Sequence, residues 1–344
     1  MMTPKERIGA FLTGKPIDCV PCVPLVLNHA ARVLGVTIRD YTVDGTVMGR
    51  SHVAAYRLYG QDLITIFADT GILGEAMGTK LRYPEDDVPR VDVPVIQKPE
   101  DVEKLGPVDV RRAGRLPTYL DAVRHCVREV GSEVFVSVCY AAPFTVAAAL
   151  RGTDVFARDV IRNPALAQIL LEKSSVVVND FAEAVAEAGG IPALVDPVAT
   201  GSMISRRVFQ QFAMPGIASG MAKIKSLGMP PILHICGRTS SIIDLMVDTG
   251  AAVLSVDQIP LREAREKVGH RVCLMGNLRP SETLLNGTPD DVRREARQCL
   301  ADCRDNPGGF ILSTGCEVPV ETPQENVLAL MEVARTDGRI GKSA

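Results

Sequence analysis

At 344 residues and 46% hydrophobic content the chain can bury one large core, at a length where alternating strand–helix barrels form a single unit. A net charge of −3 and the absence of any Lys/Arg-rich tract exclude the basic footprint of a nucleic-acid binder. No apolar run approaches the roughly 18 residues that cross a bilayer, and Met1–Gly14 is polar and helix-like rather than a signal peptide, so a cytoplasmic protein is expected.

Thr3-Pro4-Lys5-Glu6 joins an N-cap to a proline at the first helical position and opens a helix to about Leu12. Cys19–Val26 reads as extended and proline-interrupted, its second half forming the first strand. Gly45–Tyr59 reads as a helix and Asp62–Phe67 as the second strand. Residues 69–115 are rich in proline and charge, with Glu75-Ala76-Met77-Gly78 the one small-residue knot, and read as an insertion or lid over one barrel end. A helix over Leu116–Val130 precedes the third strand, Val134–Val138. Helices over Pro143–Gly152, Thr153–Ile161 and Pro164–Ala188 precede the fourth, Pro192–Asp196. Ser205–Leu227 reads as one helix before the fifth strand at Pro231–Ile235. Ala252–Asp257, Val272–Asn277 and Gly309–Ser313 are the sixth to eighth strands, with helices at Thr239–Asp248, Leu261–Val268, Pro289–Arg304 and Pro323–Arg335. Short apolar runs alternating with amphipathic helices mean parallel strands joined by crossovers, and eight of them close a barrel. The expected fold is a single-domain (β/α)8 TIM barrel spanning 1–344, with an N-terminal helical extension and an insertion after strand two.

The chemistry gathers at strand ends. His234 and Cys236, at i and i+2, project from one face of an extended segment that closes on Gly237, and Cys316 lies just beyond the eighth strand. Asp196, Asp257 and Asn277 end strands four, six and seven, and in such barrels the C-terminal strand ends form the active mouth. Taken singly, a strand-end histidine is more often part of a hydrogen-bonded core, and an aspartate often caps a loop. Their shared placement favours ligation. One imidazole and two thiolates suit zinc and leave a position open, the pattern of a catalytic rather than structural site. Two thiolates already cancel the dication's charge, so the site favours activating a thiol over activating water. Asp257 is placed to fill the fourth position at rest, and His29, near the end of strand one, to line the mouth. The other cysteines carry a plainer reading: Cys19 and Cys22 as buried strand residues, and Cys126, Cys139, Cys273, Cys299 and Cys303 as packing. Nine scattered cysteines argue for free thiols and metal ligation, not a disulfide framework.

From Pro4 to Arg335 the chain resembles the uroporphyrinogen decarboxylase superfamily, through Asp18-Cys19-Val20-Pro21, Ala142-Pro143-Phe144-Thr145, Leu233-His234-Ile235-Cys236-Gly237, Gly276-Asn277-Leu278 and Thr322-Pro323-Gln324-Glu325-Asn326-Val327. The resemblance implies a TIM barrel and offers two branches. Decarboxylases hold the acidic side chains of a porphyrinogen with an N-terminal arginine-rich segment. The matching stretch here is Leu27-Asn28-His29-Ala30-Ala31-Arg32, where Asn28 replaces one arginine. Asp69 is comparable with the decarboxylase's catalytic aspartate. The other branch resembles the zinc-dependent methylcobamide:coenzyme M methyltransferases, whose His-x-Cys and distant Cys are matched by His234, Cys236 and Cys316. That likeness implies zinc ligation by these three, an acidic fourth ligand at Asp257, and supporting positions at Glu75 and Asp196; Asn277 and His29, by their strand-end positions, join them as candidate cofactor-binding residues.

The expected function is zinc-dependent transfer of a methyl group between a methylcorrinoid (cobalamin) on a separate protein and a coenzyme M-like thiol, since the chain lacks an Asp-x-His-x-x-Gly corrinoid-ligating motif. Other readings stay open: a folate acceptor or donor-side demethylation, metal-free porphyrinogen decarboxylation, or a non-catalytic barrel binding zinc or a corrinoid protein. A homodimer is also left open.

Overall fold

A computed structural model describes residues 2–340 and forms the expected barrel of eight parallel strands. They are β1 (Cys22–Val23), β2 (Leu63–Ile66), β3 (Phe135–Ala141), β4 (Ile191–Val195), β5 (Ile232–Ile235), β6 (Val253–Val256), β7 (Cys273–Leu278) and β8 (Phe310–Thr314). Each strand from β2 to β8 pairs in parallel with the next, and β8 pairs with β1. Pro21 and Pro24 bracket β1 and restrict its ladder to two residues, because proline brings no N–H. The seam between β1 and β2 is drawn together instead by Asp62, whose N–H donates to Cys22 O at 2.9 Å and whose carboxylate accepts from Cys22 N at 2.7 Å.

Side chains at alternate positions point into the barrel. Its floor is filled by Val23, Leu63, Val253, Cys273, Met275 and Ile311, with the helix Pro4–Leu12 beneath as a plug. Thr3 and Glu6 cap that helix reciprocally, as their spacing predicts. The upper half of the barrel is left open, and the site lies there.

Three expected elements differ in detail. Ser205–Leu227 is not one regular helix: a wider π-type turn at Phe209–Ala213 separates Arg206–Val208 from Met214–Ser226. The helix after β5 begins only at Ile243. The insertion holds a short helix, Ile72–Ala76, and an antiparallel hairpin of Lys80–Arg82 with Arg90–Val93. Arg115 anchors it from the far end. Its guanidinium donates to Asp69 and Glu75, both at 2.9 Å, and lies over the Tyr83 ring, while the Tyr83 hydroxyl donates to Glu75. Among the described residues no helix is long and apolar enough to cross a membrane.

Tyr41 braces the mouth from outside, donating to Phe67 O at 2.7 Å while its oxygen lies 2.8 Å from His52 Nε2. His52 is wholly buried, and its Nδ1 has no partner. Burial pushes its pKa down to about 3, so the imidazole stays neutral in the fold while the unfolded chain protonates near 6.5. The unfolded state therefore binds more protons between these values. His52 contributes stability that is complete above pH 6.5 and lost as pH falls towards 3, by up to about 1.4 kcal/mol per unit. The urea midpoint is expected to fall between pH 7 and pH 5, and to fall less in His52→Gln.

Candidate active site and metal centre

The inward set of β5 is Ile232 and His234, continued by Cys236 where the strand ends, as period-two alternation requires. Parallel pairing sets His234 opposite Ser255 of β6, and Ser255 Oγ lies 2.9 Å from His234 Nδ1. That contact fixes the ring and aims Nε2 at sulfur, the orienting role that outer partners play for ligating histidines. Nε2 is 3.0 Å from Cys236 Sγ, and Cys236 Sγ is 3.4 Å from Cys316 Sγ. All three ligand atoms lie within 4.8 Å of one another. The sulfurs are too far apart for a disulfide, and both cysteines are free.

The donor set fits zinc. Bonds of about 2.3 Å to sulfur and 2.0–2.1 Å to nitrogen in a tetrahedron separate ligand atoms by roughly 3.5 Å, close to the spacings here. The cluster's electrostatics point the same way. The contact between the two sulfurs drives the Cys236 pKa up and draws the Cys316 pKa down. Burial opposes a charged His234, but the neighbouring Cys316 sulfur raises its pKa overall. A dication bound here would displace the protons that these groups share.

Asp257 stands outside this group. Its Oδ2 accepts from Gly237 N–H at 2.7 Å, and a Cβ at Gly315 would come within 2.8 Å of its Oδ1. The carboxylate lies between the turn after Cys236 and the turn before Cys316, and both turns use glycine for it, Gly237 with φ +73°. Asp257 in this position braces the two loops that carry the sulfurs. Burial raises its pKa against the Gly237 hydrogen bond.

The remaining expected residues scatter. Asn277 ends β7 beside the site and donates to Asp257 O and Ile259 O at 2.8 and 2.7 Å, holding the loop after β6. Asp196 is buried beneath the mouth, accepting from Thr145 N and Oγ1, and burial lifts its pKa to about 7. Glu75 is tied to Arg115 and Tyr83 in the insertion. His29 is buried, with Nδ1 2.8 Å from Val320 O and Nε2 2.8 Å from Tyr59 Oη, so it braces the loop after β8 and does not face the mouth.

Two functional neighbours escaped the sequence reading. Ser255 was discoverable as the inward residue two before Asp257. Glu317 follows Cys316 and accepts from Asn28 N at 3.0 Å and Nδ2 at 2.8 Å. Burial pushes its carboxyl up to about 7 against those hydrogen bonds.

Two cavities meet at the cluster. A well of about 190 Å³ descends the barrel axis, lined mainly by apolar side chains and reaching His234, Cys236, Cys316 and Glu317. An open polar cleft of about 680 Å³ lies outside it, between the loops after β6, β7 and β8, and touches Cys316 and Glu317 but neither other ligand.

The family description Uroporphyrinogen decarboxylase (URO-D) matches residues 3–336. Methylated-thiol--coenzyme M methyltransferase of Methanosarcina mazei is 27% identical, over 97% of this chain and 89% of its own. Methylcobamide:CoM methyltransferase MtaA of Methanosarcina barkeri is 29% identical over 96% of both chains. A solved structure described as a methyltransferase from Methanosarcina mazei superposes with a TM-score of 0.89 at 29% identity, covering 98% of this chain and 99% of that one.

Proposed function

The chain belongs to the uroporphyrinogen decarboxylase family, and from that premise we propose that it is a corrinoid-dependent methyltransferase. It moves a methyl group between a methylated corrinoid protein and a thiol at a zinc site made by His234, Cys236 and Cys316. The observation that carries this reading is the convergence of one imidazole and two sulfurs from β5 and the loop after β8. The methyltransferase names of relatives spanning nearly the whole chain support it.

The decarboxylase branch fits less well. Asp69, its counterpart of a catalytic aspartate, is buried, with one oxygen on Gly71 N–H and the other on Arg115. Neither position of the arginine-rich segment supplies a cation to the well: Asn28 binds Glu317 and Ala68 O, while Arg32 pairs outward with Glu321. A porphyrinogen's acidic side chains would find no counter-charge there.

Zinc in this donor set supplies the Lewis acidity that lets a thiol ionise at neutral pH without spending sulfur's nucleophilicity. The protein does the rest. Ser255 fixes the histidine ring, Asp257 and Asn277 hold the ligand loops, and the well excludes water and aligns the sulfur with the mouth. With a methylcorrinoid presented there, the thiolate's lone pair would form the S–CH3 bond while the Co–CH3 bonding pair stayed with the corrinoid, and the thiol proton would pass to solvent. The corrinoid is presented at the mouth by a separate protein.

Incubation with methylcobalamin and thiols under anaerobic conditions is expected to replace the methylcobalamin spectrum with that of cobalt(I). Chelation should stop the reaction and added zinc restore it. Porphyrinogen decarboxylation that survives chelation, with no cobalt(I) formed, would overturn the proposal.

A further inference from the structure

We infer that the thiol handled at this site has an uncharged, apolar body lodged in the axial well, in place of the anionic tail of a sulfonated coenzyme. The inference rests on the thiol-methyltransferase reading and narrows its substrate class. His234 and Cys236 face only the well, and Cys316 alone is shared with the outer cleft, so a sulfur that reaches all three enters through the well.

The well's chemistry is one-sided. Leu25, Leu27, Phe67, Val195, Ile232 and Met275 are among its apolar wall, and no Lys or Arg is among its described lining residues. Its serine hydroxyls are already committed: Ser255 to His234, and Ser137 to Ile191 O at 2.9 Å. Thr65 and Thr70 supply the remaining hydroxyls. Apart from the ligand cluster, Cys139 and Glu317 are the ionisable groups of the lining, and neither offers a sulfonate a positive partner. Arg115 is held by Asp69 and Glu75, and Arg279 pairs with Glu295 in the outer cleft. A sulfonate entering the well would give up water with no cation to meet it, which is costly at low dielectric. An alkyl or aryl body gains by leaving water.

The test is calorimetric binding to zinc-loaded protein of three thiols of similar length: 1-propanethiol, cysteamine and 2-mercaptoethanesulfonate. Propanethiol is expected to bind about tenfold or more tighter than either charged thiol. Sulfonate binding as tightly would overturn the inference. So would cysteamine binding tightest, which would make Glu317 an anchor for a cation. If none of the three binds, the thiol-site reading itself fails, an outcome distinct from a wrong preference among thiols. Two variants add a readout independent of turnover. Ala193→Phe fills the well and is expected to weaken propanethiol about tenfold with zinc content unchanged. Thr70→Arg places a cation at the rim and is expected to raise affinity for 2-mercaptoethanesulfonate. Unchanged propanethiol binding in Ala193→Phe at full zinc content would put the thiol's body elsewhere and overturn the inference.

Discussion

Cys316→Ala is expected to reduce bound zinc from near one per chain to a small fraction and to cut methyl transfer by about a thousandfold or more. Cys316 lies half-buried in the loop after β8, outside the packed core, so the barrel should fold normally. What disappears is one of the two sulfurs of the cluster. Cys236 and His234 alone offer one thiolate and one imidazole, too little to hold the ion against dilution. Ser255→Ala gives the graded comparison: it frees the imidazole ring without removing a ligand, and about 10–100-fold in zinc affinity is expected. Zinc content by atomic absorption, read beside the cobalt(I) assay, checks both. Full activity in Cys316→Ala would end the zinc mechanism.

That the trio could be found before the fold was known follows from how barrels bury their strands. Parallel strands covered on both faces read as short apolar runs, and all eight stood out between amphipathic helices. Period-two alternation then placed His234 and Cys236 on one side without any coordinates. The hairpin in the insertion was invisible for the converse reason: Lys80–Arg82 and Arg90–Val93 are largely exposed, so no apolar pattern marks them. The π-type turn at Phe209–Ala213 was hidden because its residues are good helix material, and only tertiary packing selects the wider turn. Asp257 shows the deeper limit. Its strand-end position was legible, but the hydrogen bond its carboxylate takes from Gly237 N–H depends on how two distant glycine turns approach it. His29 likewise sat at a promising strand end, yet Tyr59 and Val320, far apart in the chain, claim both its nitrogens. Local spacing specifies which face a side chain takes. It does not specify which partner arrives first.

The barrel's closure at the opposite end makes the other large prediction: Asp62→Ala is expected to lower stability by about 3–5 kcal/mol. Asp62 is fully buried at the start of β2. Its Oδ1 accepts from Arg7 Nη1 at 2.5 Å and Arg335 Nη2 at 2.9 Å, and its Oδ2 from Cys22 N at 2.7 Å and Arg335 Nη1 at 2.9 Å. One carboxylate thus joins the N-terminal plug helix, the first two strands and the last helix, Gln324–Thr336. Removing it takes a carboxylate from two guanidiniums at the floor. Arg7 keeps Asp18, but Arg335 is left with Gly60 O and the Cys19 sulfur as acceptors. Breaking a buried pair from one side costs more than the pair contributes, because the surviving charge is left without a partner. Asp62→Asn keeps an acceptor oxygen and the side chain's volume while losing the charge, and about half the effect is expected. Urea unfolding at pH 7 separates the two variants from the parent. Zinc content of the folded fraction should match the parent in both, because the ligands lie at the other end of the strands. A loss below about 1 kcal/mol in Asp62→Ala would mean that apolar packing alone closes the seam between β1 and β2.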